Sequence, residues 1–168
     1  MATIKQQLVP ESAFFKTTNF PQYLIRQGTN FPVSILAFDD TTDEESFWKF
    51  KASSYGSGNI TLIIRWYSPS ATSGNVVWEA NLAAITPDTD SQNVETKSFA
   101  TLNFVQDTHL GTTAQRIHTC SITLSNLDSI AADDEVWLRV ARDANGTNAT
   151  DDMVGDAYLV DMELQYSS

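Results

Sequence analysis

The feature that most constrains the fold of this chain is the alternation of apolar and polar residues along many short segments. In ITLIIRWY, residues 60–67, the side chains of Ile60, Leu62 and Ile64 fall on one face of an extended backbone. Because successive side chains of a β-strand point to opposite faces, this period of two predicts a strand with one buried face. Comparable segments, of which 95–104 is the weakest, occur at 34–38, 46–52, 75–85, 95–104, 116–124, 135–141 and 156–165.

Strands of this number and spacing, with no amphipathic helix among them, predict an all-β fold. One polar face and one apolar face on each strand indicate sheets that are wet on one side and packed on the other. A chain of 168 residues is large enough to bury the apolar faces of two such sheets in a single core. We therefore predict an antiparallel two-sheet β-sandwich, a jelly roll, over residues 34–168.

The first 33 residues have a different character. They contain Pro10, Pro21 and Pro32 and show no sustained period of either kind. Proline fixes φ and removes a backbone donor, so we expect an extended N-terminal arm over residues 1–33 rather than helices. Its aromatic side chains must be buried against the chain's own domain or against a neighbouring subunit. The predicted interface residues are Phe14, Phe15, Phe20, Tyr23 and Phe31.

Composition argues against two classes of partner. The chain has 21 acidic and 10 basic residues and a net charge of -11, and such a surface repels the phosphates of nucleic acids. No apolar run approaches the roughly 20 residues of a membrane-spanning helix. Cys120 is the single cysteine, so no internal disulfide can form, which suits folding in a reducing cytoplasm. We therefore expect neither nucleic acid nor a membrane as a partner.

The stretch FDDTTDEESF, residues 38–47, has five carboxylates between Asp39 and Glu45. Asp39, Asp40 and Asp43 are candidate ligands of Ca²⁺, which prefers oxygen donors. The stretch has neither the Asp-x-Asp-x-Asp-Gly spacing nor the glycine of a tight calcium-binding loop. Asp and Thr side chains also cap turns by hydrogen bonding to nearby backbone N–H groups. We favour such a turn between two strands, with calcium as the alternative.

No motif in the sequence indicates catalysis. The chain contains no Gly-x-Ser-x-Gly motif, no phosphate-binding loop and no dinucleotide-binding motif. His118 and Cys120 lie two residues apart, but Ile122 extends the same face, so both are expected to be in the core. The absence of these motifs removes any positive argument for an enzyme, and no cofactor is expected other than the calcium considered above.

Arg142 is expected to have an architectural role. A guanidinium group can form two parallel hydrogen bonds with a carboxylate. Arg142 follows one predicted strand, and Asp156 begins the next, after a polar loop. An Arg142–Asp156 pair is therefore predicted to join these adjacent strands.

The aromatic residues test whether the sandwich presents a surface to a sugar. The alternation of faces along each strand (the parity of a position) puts three tryptophans on the apolar side, in the core, namely Trp48, Trp66 and Trp78. Trp137 alternates with the apolar residues of its strand and is expected to face outwards, as are Tyr67 and Phe47. These three are candidate glycan contacts, and contacts with loops or with another subunit would explain them equally well.

Four segments resemble a group of bacteriophage virion proteins, namely ILAFDDTTDEESFWKF, ATSGNVVWEA, DEVWLRVARDA and DDMVGDAYLVDMEL. In that group, an aspartate-rich corner precedes an aromatic strand of a β-sandwich domain. The group also shares a Ser/Thr-Gly-x-Val-x-Trp strand, and an Arg-Asp followed by Asp-x-x-x-x-Asp-Ala. The similarity covers residues 35–164, nearly the whole predicted sandwich.

The resemblance implies a non-enzymatic structural component of the virion, such as a head decoration or cement protein, or a fibre or tail domain. It implies a homotrimer of jelly rolls that contacts other virion proteins such as the major capsid protein, after synthesis in the bacterial host cytoplasm. The N-terminal arm would then lock the contacts between subunits. The alternative function is a carbohydrate-binding module, including one for adhesion to host-surface glycans. A β-sandwich lyase or hydrolase with paired carboxylates ranks third.

Overall fold

In the computed structural model, which describes residues 1–168, the chain forms ten antiparallel β-strands and a short 3-10 helix at Pro10–Ser12. They assemble into two sheets, so the predicted all-β, two-sheet β-sandwich is confirmed. The chain has no helix that is long and apolar enough to cross a membrane. The strands are β1 (Thr3–Leu8), β2 (Gln22–Gln27), β3 (Pro32–Phe38), β4 (Glu44–Lys51), β5 (Ser57–Tyr67), β6 (Asn75–Ile85), β7 (Asn103–Thr108), β8 (His118–Leu124), β9 (Glu135–Arg142) and β10 (Ala157–Ser167).

The last strand organises the larger sheet. Sheet A has the order β2-β3-β10-β5-β8, and β1 also pairs with β10. β3 pairs with the first residues of β10 and β1 with its last residues, while β5 pairs along its whole length. Sheet B has the order β4-β9-β6-β7. The two chain ends therefore lie together, and Ser168 N donates a hydrogen bond to Ala2 O at 3.0 Å.

The space between the sheets holds the apolar core that the alternation predicts. The three tryptophans expected there, Trp48, Trp66 and Trp78, are all fully buried. Trp48 Nε1 donates to Val9 O at 2.9 Å, and Trp66 Nε1 donates to Asp107 Oδ2 at 2.8 Å. A buried indole whose N–H group has a partner is fixed in one orientation. Trp48 and Trp66 thus set the packing between the sheets as well as filling it, whereas the buried Nε1 of Trp78 has no partner.

The first 33 residues are extended, but they do not form an arm that stands apart from the sandwich. β1 pairs with β10 and β2 pairs with β3, so this segment supplies two strands of sheet A. β1 shows no clear apolar alternation because the polar Gln6 takes an inward position, where its Nε2 donates to Tyr166 Oη at 2.6 Å. β2 gives no alternating pattern because it lies at the sheet edge, where Leu24 is its only partly buried residue. The sandwich therefore includes this segment as well as residues 34–168.

The seventh strand lies later in the chain than expected. The alternation predicts a weak strand at 95–104, whereas β7 begins at Asn103 and residues 86–102 form a long loop. The strand is hard to find because its inward side carries polar groups. Asp107 is one of them, and it accepts the hydrogen bond of the Trp66 indole.

Arg142 is fully buried at the end of β9 and holds the long loop that leads to β10. Its Nε and Nη2 atoms donate to the two carboxylate oxygens of Asp151, at 3.0 and 2.7 Å. The other donors reach the backbone oxygens of Phe38 at 3.3 Å, Met153 at 2.9 Å and Gly155 at 2.9 Å. All five N–H groups of the guanidinium therefore have an acceptor.

The predicted pairing of Arg142 with Asp156 is wrong, and Asp151 is the partner. Asp151 also accepts a hydrogen bond from Val77 N at 2.9 Å, so the buried carboxylate joins β9, β6 and the loop. Burial, and then the charges of Asp39 and Asp40, raise the pKa of Asp156. Sequence distance did not distinguish the two carboxylates, because the loop folds back over the strand ends.

We expect Arg142→Leu to destabilise the protein far more than a matched change in a partly exposed pair. The substitution leaves the Asp151 carboxylate buried without a counter-charge, which should cost about 3–5 kcal/mol of unfolding free energy. Arg65→Leu removes a pair with Asp161 at 3.0 Å that solvent reaches, and should cost about 1 kcal/mol or less. Urea unfolding followed by tryptophan fluorescence measures both losses. Equal losses in the two variants would contradict the role assigned to Arg142.

Candidate functional site

Sheet B carries an open groove on its outer face, with a volume of about 410 Å³. We call it the sheet B groove. Phe47 of β4, Trp137 of β9 and Ala83 of β6 form its floor. Residues 14–16 line one side, and residues 94–99 of the β6–β7 loop line the other. The groove thus offers a ligand an aromatic and aliphatic surface that is open to solvent.

The register of the strands creates the floor of the groove. Trp137 lies opposite Lys49 on β4 and opposite Ala83 on β6. An alanine methyl beside an indole leaves free space above the sheet, which a larger side chain would fill. Nζ of Lys49 lies 5.6 Å from the centre of the Trp137 ring and forms an ion pair with Glu135. The indole is half-buried and therefore keeps a surface that a ligand can contact.

Phenylalanines from three distant segments meet in the sheet B groove. Phe14 stacks on Phe47 with ring centres 6.1 Å apart, and Phe99 lies 6.0 Å from Phe47. Phe14 also exchanges two backbone hydrogen bonds with Phe47, at 2.9 and 3.0 Å. Phe47 is consequently buried, whereas Phe14 remains 43% exposed. The N-terminal segment thus covers part of sheet B and turns a sheet face into a groove.

Charged side chains border the groove. Arg139, the cross-strand neighbour of Phe47, donates from Nε to Glu45 and from Nη1 to Glu79 at 3.4 Å. Lys16, which lines the groove, pairs with Glu45 at 2.7 Å. Burial by itself would raise the pKa of Glu45, but the hydrogen bonds from Lys16 and Arg139 outweigh it and lower that pKa. These paired charges place fixed hydrogen-bonding groups beside the apolar floor.

The structure brings together two of the three predicted glycan contacts. Trp137 and Phe47 both line the sheet B groove, although Phe47 is buried rather than exposed. Tyr67 is also buried, and it lies on the outer face of sheet A against Tyr158, with ring centres 5.3 Å apart. The three residues do not form one platform. Parity tells which face of a strand a residue occupies, but not which sheet the strand joins.

Sequence reasoning missed the residues that close the groove. Phe99 and Val94 lie in the β6–β7 loop; Phe99 falls in the weak strand predicted at 95–104, for which no role in a site is predicted, and Val94 lies just before that segment. Ala83 is a small residue among apolar neighbours, and it contributes to the groove only because it lies opposite Trp137 and leaves space there. Phe14 and Phe15, both predicted as interface residues, line the groove within the chain itself.

Of the other predicted interface residues, Tyr23 lies on β2 at the edge of sheet A and Phe31 in the turn after it, whereas Phe20 packs on Phe15 with ring centres 5.8 Å apart. Phe20 and Tyr23 are each 42% exposed, and Phe31 is 69% exposed. Ile25 of β2 is exposed as well. β2 has no strand on its outer side within the chain. Contact of this surface with another subunit stays a prediction.

The acidic stretch at 38–47 spans the turn between β3 and β4, which consists of residues 39–43. Each of the three calcium candidates accepts at least one backbone N–H bond, from within the turn for Asp39 and from the loop before β10 for Asp40 and Asp43. No group of three or more His, Cys, Asp or Glu side chains is arranged to hold a metal ion. The donors are Thr41 and Thr42 for Asp39, Gly155 for Asp40 and Asn145 for Asp43.

His118 and Cys120 share the inward side of β8, as predicted. His118 is buried and stacks on Trp66 with ring centres 4.5 Å apart, and His109 lies 4.3 Å from it. Burial raises the pKa of the Cys120 thiol far above its usual range, so the thiolate does not form near neutral pH. These residues form a packed cluster rather than a nucleophile with its base.

No protein-family model and no curated protein matches this sequence. Solved structures that resemble the chain include carbohydrate-binding modules. One is a family 28 module described as specific for non-crystalline cellulose, with a TM-score of 0.47 and 9% identity, covering 94% of this chain and 89% of that one. Another is a family 11 module from Clostridium thermocellum bound to a mixed-linked tetrasaccharide, with a TM-score of 0.47 and 8% identity, covering 96% of this chain and 87% of that one.

A third similar structure is the C-terminal family 6 module of LamC from Zobellia galactanivorans. Its TM-score is 0.45 and its identity 10%, covering 96% of this chain and 98% of that one. These similarities concern overall architecture alone, and no ligand is carried over from them. The role implied by the phage resemblance stays a prediction.

We expect the protein to lose stability as the pH falls below about 6.5, because His118 is held neutral. Its Nε2 accepts a hydrogen bond from Leu110 N at 3.0 Å, and its Nδ1 is buried without a partner. Burial, and then the neighbouring His109, lower its pKa below the ordinary value of 6.5. The unfolded chain therefore binds this proton more readily than the folded chain. Stability is complete above about pH 6.5 and falls as the pH drops towards the folded-state pKa.

Urea unfolding between pH 5 and pH 8 tests this expectation. In His118→Gln, whose side chain does not titrate, the acid-side slope should be shallower by up to about 1.4 kcal/mol per pH unit. The charge of Asp107 favours protonated His118, and that of Arg116 disfavours it. Both residues are therefore kept in the variant, so that only the titration of His118 is removed. The same slope in both proteins would show that His118 is not the group responsible.

Proposed function

We propose that this protein binds carbohydrate, without catalysis, in the sheet B groove. The observation that carries the proposal is the meeting of Trp137, Phe14 and Phe99 around an open volume of about 410 Å³. Small-molecule sites are typically concave, mostly apolar and of about 300–1,000 Å³, with a few polar groups that fix the ligand. A pyranose ring has an apolar face that packs on aromatic side chains and hydroxyl groups that need hydrogen-bond partners.

The distribution of polar groups supports a sugar over a purely apolar ligand. An apolar ligand would desolvate Lys16 and Glu95, which line the groove, without replacing their hydrogen bonds to water. Sugar hydroxyls can donate to Glu95 and accept from Lys16, while the ring packs on Trp137. A carbohydrate therefore satisfies both the apolar floor and its charged border.

Binding without catalysis is supported by the carboxylates of the groove. Glycosidases use a pair of carboxyl groups about 5–10 Å apart on either side of the scissile bond. Glu95 is the only acidic residue that lines the groove. The nearby Glu45 is occupied by Lys16 and Arg139. A single available carboxylate can accept hydrogen bonds from a sugar, but it supplies no acid–base pair.

We expect Trp137→Ala to weaken glycan binding by about tenfold or more, because it removes the stacking surface from the floor. A glycan array of plant, algal and bacterial polysaccharides identifies the ligand, and calorimetry on the strongest one measures the loss. Ala83→Leu should also weaken binding, because the larger side chain fills the space beside Trp137.

The matched control is Phe104→Ala. Phe104 is an aromatic residue on the outer face of the same sheet, and it is 47% exposed but does not line the groove. This variant should bind as the wild type does. The absence of binding across the array, or an equal loss in Phe104→Ala and Trp137→Ala, would reject the proposal.

A second candidate function is structural assembly in a phage virion, as a homotrimer or against other virion proteins such as the major capsid protein. It is supported by a different surface, the free edge of β2, where Tyr23 and Ile25 are exposed. The unpaired N–H and C=O groups of an edge strand are a template for pairing with another chain. Exposed apolar side chains, here also Phe31, are typical of a contact surface.

If this second function operates, we expect light scattering to give an oligomeric mass for the full chain and a smaller mass for Ile25→Lys. A lysine on an edge strand blocks pairing because its charge would be buried. Val154→Lys is the control, since Val154 is 80% exposed and lies in the loop before β10. A monomeric wild type at high concentration would contradict self-assembly and leave the glycan proposal unaffected.

A further inference from the structure

A second cavity, of about 420 Å³, lies on the outer face of sheet A, across the sandwich from the sheet B groove. We call it the sheet A cavity. Tyr67 of β5 and Tyr158 of β10 form its floor. The β2–β3 turn at residues 28–31 forms one rim, and Gln115 and Ile117, just before β8, form another.

The lining of the sheet A cavity carries no carboxylate, although the chain is strongly acidic. Of its 12 lining residues, Arg26 alone is charged. The whole chain has 21 Asp and Glu residues against 10 Lys and Arg residues, so acidic side chains outnumber basic ones elsewhere on the surface. The cavity therefore presents one positive charge with no counter-charge of its own.

Arg26 is also unpaired within the chain. Eight of the ten basic side chains form ion pairs with carboxylates. A ninth, Arg116, donates to Leu110 O and Thr112 Oγ1. Arg26 has no such partner, and its guanidinium lies 5.8 Å from the centre of the Tyr158 ring. This cation–π contact positions the guanidinium while leaving its N–H donors free.

The remaining lining combines aromatic rings with amide side chains. Tyr67 and Tyr158 meet edge to face, with ring centres 5.3 Å apart and an interplanar angle of 80°. Such side chains suit the apolar face of a ring-shaped ligand. The amides can both donate and accept hydrogen bonds, which suits hydroxyl groups. They belong to Gln27, Asn30 and Gln115.

The rim of the cavity is built into the backbone. A β-carbon at Gly28 would lie 2.5 Å from Phe31 O, so the turn between β2 and β3 closes only with glycine at this position. The closed turn holds Phe31 at the rim and Arg26 just before the turn. A site with a fixed rim loses little conformational entropy when it binds a ligand.

We infer that the sheet A cavity binds a hexuronic acid residue, a sugar ring that carries one carboxylate. The guanidinium fork of Arg26 matches the two oxygens of a carboxylate. The tyrosines contact the ring, and the amides contact its hydroxyl groups. One guanidinium balances one negative charge, which favours a carboxylate over a phosphate dianion. The inference does not depend on the function proposed for the sheet B groove, because the two sites share no residue.

Calorimetry with three acidic trisaccharides, of galacturonate, mannuronate and glucuronate, tests the inference, with neutral galactotriose as the matched probe. We expect at least one acidic trisaccharide to bind and galactotriose not to bind at this site. Arg26→Gln should weaken the acidic ligand by about ten- to one-hundred-fold, since the variant loses a charge-assisted pair. Arg26→Lys should retain part of the affinity, because it keeps the charge and loses the fork. Added salt should weaken wild-type binding.

Trp137→Ala is the control for the site, and it should bind the acidic trisaccharide as the wild type does. Failure of all three acidic probes at millimolar concentration would overturn the inference, as would binding that Arg26→Gln leaves unchanged. If Trp137→Ala loses acidic-sugar binding and Arg26→Gln does not, these sugars bind in the sheet B groove, and the inference is overturned as well. Acidic-sugar binding that depends on Arg26, without any neutral glycan on the array, would reject the function proposed for the groove and support the inference.

Discussion

The guanidinium group of Arg142 is the constraint on which the rest of the structure depends. Arg142 ends β9 of sheet B, yet it donates to Phe38 O in sheet A and to Asp151, whose carboxylate also binds Val77 N of β6. A charge removed from water is costly unless every donor is matched. Matching all five donors forces the loop at 143–156 along one path. The ends of both sheets and the turn between β3 and β4 are thereby locked together.

Away from this locked end, the N-terminal segment shapes both candidate sites. β1 pairs in sheet A, Phe14 then crosses to the edge of sheet B, and β2 returns to sheet A. The crossing makes one side of the sheet B groove, and the turn after β2 makes the rim of the sheet A cavity. A segment rich in proline and aromatic residues suits this path, because proline favours extended backbone and aromatic side chains cover large areas of a sheet.

Much of the fold could be predicted from the sequence, and the exceptions have identifiable causes. Strands escaped prediction where polar side chains point inwards with a hydrogen-bond partner, as Gln6 does in β1 and Asp107 in β7. Such pairs satisfy the buried polar groups but break the alternation. Within the groove, the alternation identified Trp137, whereas Phe99, which falls in the weak strand predicted at 95–104, instead reaches the site through the path of a long loop.

The sequence by itself determined the all-β class, the face that most strands bury, the strong negative charge and the absence of a disulfide. Tertiary structure alone decided which strands are neighbours, which carboxylate Arg142 binds, and that Trp137 and Tyr67 lie on opposite surfaces. The physical reason is the range of the interactions. The pleat of a strand is a local geometry that sets a period of two, so this period can be recognised in any short segment of sequence. Strand pairing and loop paths depend on contacts between residues far apart in the chain, and no local pattern encodes those.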